Sequence, residues 1–193
     1  MKITAHWLRT RQACREGIKW FKDRFPKGAK PQQVFAALLA EDRASDVAWL
    51  YQELIATLPL GAIVSLAASS ARRVAHLWPP MIRDMCEKAV GIAEQYVASG
   101  DIDWRIAYVV VEALDRPFPY DSVVSNATNA ATNAAYASGH AVLFGLNNFE
   151  VVAATATDAA AAASGAIGDW KPLIDDLLAA LEVQKAFTRE VEM

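Results

Sequence analysis

Three histidines, a row of amides and a run of cations are the groups in this 193-residue chain whose types could do chemistry. His6, His76 and His140 stand apart. None lies three or four residues from another His, Cys or carboxylate, the spacing by which a helix gathers metal ligands. We therefore expect no metal site and no cofactor. Asn126, Asn129, Asn133 and His140 fall on one face of a 3.6-residue helix, with Thr128 and Thr132 beside it. Asparagine is a poor helix former, so its repetition has a cost and invites an explanation. Three remain open: a solvent face on which amides replace charge, hydrogen bonding across a buried helix pair or subunit interface, and a ligand site. Arg11, Arg15, Lys19 and Lys22 make a basic stripe of the kind that attracts an acidic partner or nucleic acid, or that simply faces water.

Other candidates for catalysis are weaker. Ser138-Gly139-His140 and Ser164-Gly165 lack the strand, elbow and helix that expose a nucleophile. Gly145-Leu146-Asn147-Asn148 lacks the preceding strand and following Lys of a phosphate-binding loop. Asp101, Asp103, Asp175 and Asp176 stand at helix starts, where the backbone dipole favours a carboxylate. No carboxylate pair has surroundings that would force two pKa values apart, as acid–base catalysis requires. The expectation is a protein that is not an enzyme.

The elements that position these groups read as helices throughout. Trp7, Cys14, Ile18, Phe21 and Phe25 share one stripe, which predicts a first helix from about Thr10, or as early as Thr4, to Phe25. Pro26 and Gly28 stop it. Pro31 opens a second helix and Ser45 caps a third that runs to Leu58. Pro59-Leu60-Gly61 marks a boundary, giving a basic helical subdomain over 1–58 and an alanine-rich bundle over 61–193.

In the second part, helices are expected over 62–78, 81–99, 103–114 and 170–187. The run Ile106 to Val111 has some strand character, but its helical flanks favour helix. Between them, Ser122 to Gly168 contains no Lys or Arg and only two acids, Glu150 and Asp158. Alanine adds almost no bulk, so two helices made of it approach closely. Breaking at Gly145, Asn147 and Asn148, this stretch predicts a helical hairpin that is central to the fold or is an interface. The fold class is all-α, a bundle of about nine helices around that hairpin.

Composition sets the outer limits. No apolar run approaches the roughly 18 to 20 residues that cross a bilayer. MKITAHWLRTRQAC has no apolar core of a secretory signal, and Cys14 and Cys86 are far apart, so the expected compartment is the cytoplasm. The net charge of −3 conceals a division. Residues 1–30 carry nine Lys or Arg against two acids, and the remaining residues carry ten against twenty. No nucleic-acid motif accompanies the basic part, so a protein partner is favoured over direct nucleic-acid binding.

Two resemblances follow from particular residues. Trp7, Leu8, Ala13, Cys14, Trp20, Phe21, Lys22, Phe25, Pro26, Gly28, Ala29 and Trp49 make residues 7–58 similar to a segment of many phage and prophage accessory proteins. Ala71-Arg72-Arg73-Val74, Leu77-Trp78, the helix to Tyr96 and Gly100, and the alanine hairpin make residues 69–168 resemble alanine-rich immunity proteins of bacterial toxin systems. The resemblances imply a mobile-element protein whose work is binding another protein in the host bacterium. The most concrete form is an anti-CRISPR protein acting on Cas subunits through Arg11, Arg15, Lys19 and Lys22. Alternatives are an immunity protein that neutralises a toxin, and an enzyme with an all-helical site anchored on the Asn126–His140 row. A homodimer through the uncharged hairpin is also expected, in which case Glu at Ala134 or Ala160 should dissociate or unfold it.

Overall fold

The computed structural model describes residues 1–114, 122–144 and 149–191, and these form ten α-helices and one short 3₁₀ turn. The chain divides into two compact units, Met1–Glu53 and Leu54–Met193. The all-α fold is therefore observed, with one helix more than expected.

The extra helix comes from the N-terminal unit, where the first predicted helix is two. Helix α1 spans Ala5–Thr10 and α2 spans Arg15–Arg24. Thr4 caps α1 by accepting from the Trp7 N–H at 3.1 Å. Its other end closes as a Schellman turn: Gln12 adopts φ 57°, its N–H reaches the Arg9 carbonyl at 3.0 Å, and the Ala13 N–H reaches Leu8 at 3.0 Å. Glutamine rarely takes a left-handed φ, so its type gives no warning of the break. Cys14 is then extended, and its Sγ accepts from the Gly17 N–H at 3.2 Å as the cap of α2.

Helix α3 spans Pro31–Ala40 and α4 spans Ala44–Ile55, joined by a second Schellman turn with Asp42 at φ 53°. Leu8, Phe21, Val34, Phe35, Leu38, Val47 and Leu50 form this unit's buried core. An isolated bridge pairs Ile3 with Ala29 through two hydrogen bonds of 2.8 and 3.0 Å. Gly28 makes the bridge possible: it has φ 78°, and a Cβ there would stand 2.7 Å from the Ile3 carbonyl.

The second unit holds α5 (Leu60–Arg73), a 3₁₀ turn at Ala75–Leu77, α6 (Arg83–Ser99), α7 (Trp104–Leu114), α8 (Ser122–Phe144), α9 (Phe149–Ile167) and α10 (Lys171–Val191). Helix α8 packs against α9, α5, α6 and α7, and α9 packs also against α5. The alanine-rich pair is thus the centre of this unit. The break expected at Gly145, Asn147 and Asn148 lies outside the described residues. Close approach shows in the residues between the helices: Ala127, Ala130, Ala131, Ala134, Ala137, Ala156, Ala159, Ala160 and Ala163 are all at most 1% exposed. Residues 106–111 are helical, because Ala107, Val110, Val111 and Leu114 are buried at the helical spacing.

Candidate functional site

Basic side chains of the N-terminal unit separate into two groups. Arg11 sits at the end of α1, not on the helix that carries Arg15, Lys19 and Lys22. Its guanidinium lies over the Trp7 ring at 5.7 Å and bridges to Glu53 at 3.4 Å. The four-residue stripe is corrected to three residues by the left-handed turn at Gln12, which ends the helix before Arg15. Arg24 and Arg43 are likewise used inside the unit, Arg24 with Glu41 and Arg43 with Asp46 at 2.5 Å.

Arg15, Lys19 and Lys22 differ from these. All three are exposed, they share one side of α2, and no ion pair holds them among the described residues. Lys2, Arg9, Lys27 and Lys30 are exposed in the same unit. Three free-standing cations on a rigid helix attract anions over about a Debye length, roughly 8 Å at physiological salt. What this face can do chemically is dock an acidic surface.

The amide row occupies one edge of α8. Asn129 is exposed, while Asn126, Asn133 and His140 are half-buried. Tyr136 belongs to the same edge, 37% exposed, and its ring stacks on His140 with centroids 6.1 Å apart. The sequence reading missed this tyrosine, although its register, seven residues from Asn129, places it there. Thr128 and Thr132 are not part of the edge. They are buried, and their hydroxyls donate to the Val124 and Thr128 carbonyls of their own helix.

Across from Asn126 stands Gly165 of α9, where a Cβ would lie 2.6 Å from the Asn126 Nδ2. The amide therefore lies where any larger residue would stand. Asp158 of α9 is exposed as a residue, yet partial loss of hydration pushes its pKa up. Burial likewise pushes His140 down from the usual histidine value. Lost hydration is the cause of both shifts. The row is the half-buried edge of a helix that packs against four neighbours, with Asn129 facing water.

Ala71 to Trp78 tie the second unit together. Arg72 forks to Glu87 and to Glu94, which it meets at 2.8 and 2.9 Å, joining α5 to α6; the hydrogen bond to Glu94 raises the arginine pKa and lowers that of the acid. Arg73 makes a two-pronged bridge to Asp176 of α10 at 2.9 and 2.6 Å. Trp78 is buried and donates its indole N–H to the Ala127 carbonyl at 3.0 Å. Cys86 is buried with its thiol pushed up to about 12 by burial, which keeps it protonated and inert. Among the described residues, no group of three His, Cys, Asp or Glu is arranged to hold a metal ion, and no helix is long and apolar enough to cross a membrane.

Residues 1–57 match the family model described as the YdhT N-terminal domain, a span that covers the first compact unit and ends before α5. No curated protein and no solved structure shows a significant match to the chain.

Proposed function

We propose that this chain is a non-enzymatic binding protein that docks on an acidic surface of a partner protein through Arg15, Lys19 and Lys22. One observation carries the reading: these three cations share an exposed helix face without an ion pair among the described residues, while Arg11, Arg24 and Arg43 nearby are matched to carboxylates of their own unit. In its most concrete form the protein is an anti-CRISPR inhibitor, encoded by a phage or other mobile element, that binds Cas subunits in the host cytoplasm. The similarity of residues 7–58 to phage accessory proteins supports that form.

A second reading is a toxin-neutralising immunity protein. The exposed edge of the alanine hairpin favours it, since a face without Lys or Arg suits a neutral partner. The same edge suits self-association, with a second copy of this chain as its occupant.

The experiment is affinity capture of the tagged chain from bacteria carrying CRISPR–Cas systems, set against an Arg15→Glu/Lys19→Glu/Lys22→Glu variant. The expected result is stoichiometric recovery of Cas subunits, weakened on the order of ten- to a hundredfold by charge reversal and flattened in its salt dependence. Recovery of one small toxin instead would move the conclusion to immunity, and capture indifferent to the triple reversal would reduce the basic face to a solubility feature.

A further inference from the structure

Helix α2 has a second side. At 100° per residue, Gly17, Trp20 and Phe21 point away from Arg15, Lys19 and Lys22. On that side a cavity of about 200 Å³ opens, lined by apolar side chains of α1 to α4 and by a single charged residue, Asp46. Its floor is buried at Phe21, Val34, Leu38 and Leu50, while its mouth is open where Cys14 is exposed and Trp20 and Trp49 are half-buried.

We propose that this cavity binds one neutral, planar, two-ring aromatic group with a single N–H donor, an indole, laid against Trp20 and Trp49 with its N–H on the Asp46 carboxylate. Size sets the ring count. An apolar cavity of about 150 Å³ takes benzene, and drug-sized ligands need roughly 300 Å³ or more. About 200 Å³ lies between, at two fused rings.

Asp46 sets the donor. Its Oδ2 accepts from Arg43 Nε at 2.5 Å, and its Oδ1 lies 3.9 Å from where a Cβ on Gly17 would stand, on the cavity wall. Arg43 also sets the charge. It lies 5.1 Å from the Trp20 ring and Arg24 lies 5.8 Å from it, but they are paired with Asp46 and Glu41, so the charges around this wall balance and a neutral ligand fits it. Geometry is fixed in advance: Trp20 Nε1 donates to Glu41 Oε2 at 2.6 Å, which holds one wall without any ligand. Gly17 keeps that wall bare, since a Cβ there would come 3.3 Å from Cys14 Sγ.

The test is a titration of the full chain followed by the amide and indole N–H resonances of Gly17, Trp20 and Trp49. Free indole should shift them saturably. Benzothiophene, with the same ring shape and no donor, should bind about three- to tenfold more weakly, the worth of one hydrogen bond. N-acetyltryptophanamide separates the two sources of the group: binding assigns the cavity to a tryptophan side chain of a partner, and exclusion with indole still bound assigns it to a free small molecule. Absence of saturable indole shifts, or benzothiophene binding as tightly as indole, would overturn the proposal. Gly17→Leu should fill the cavity and abolish binding, and the ligand series on the unaltered chain decides the matter if that variant does not fold. The triple Glu variant of the basic face should bind indole normally, so failure of either proposal leaves the other standing.

Discussion

Asp158 and His140 show how far single residues carry this fold. Both lose water on folding, and since this raises the pKa of an acid and lowers that of a base, their linkage to stability runs in opposite senses. Asp158 has a raised folded pKa. Its protonated form is at no disadvantage below the ordinary value of about 3.8, and stability is lost as pH rises through the folded value. Asp158→Asn should therefore raise the melting temperature near neutral pH, by about 1–2 °C for a surface position in a chain this size, and leave it unchanged well below 3.8. His140 has a lowered folded pKa, so folding is penalised as pH falls below the ordinary histidine value of about 6.5. His140→Gln should blunt that acid sensitivity. Melting curves of both variants across pH check the signs, and equal shifts at all pH values would show that folding leaves the pKa of neither group changed.

At the scale of elements, the contacts between helices rest on few polar atoms. Trp78 ends the connector after α5 and hands its indole N–H to the Ala127 carbonyl in the second turn of α8. Trp78→Phe removes that donor from a buried site and leaves a small void. It should cost about 1–3 kcal/mol, read as a lower urea midpoint with an unchanged slope. The exposed forks of Arg72 and Arg73 contribute less individually, about 0–1 kcal/mol each, because water screens them. Of the two outcomes expected for Glu at Ala134 or Ala160, burial leaves unfolding. Both are fully buried within their own unit, so Glu at either position tests folding and cannot report on a dimer.

For the whole molecule, self-association has to be probed where the hairpin meets water. Asn129 on α8 is exposed there, as is Val151 on α9. Sedimentation equilibrium should find a dimer, and Asn129→Arg with Val151→Arg should give a monomer of unchanged melting temperature. A monomeric parent protein would end the self-association reading. Exposed apolar residues also cluster on α7, where Ile106, Tyr108 and Val109 are 57–63% exposed.

The amino-acid sequence alone carried the fold class, because the 3.6-residue spacing of apolar side chains needs no knowledge of distant contacts. It also carried the closeness of α8 and α9, which follows from alanine's size. What it did not carry was the break between α1 and α2, since that rests on a left-handed Gln12 held by two local hydrogen bonds, nor the consequence that Arg11 leaves the basic face. The cavity beside Trp20 was illegible for a different reason. Asp46 and Trp49 share a face of α4, but Trp20 lies on α2, and only tertiary packing brings it to them, whereas periodicity speaks for one helix at a time.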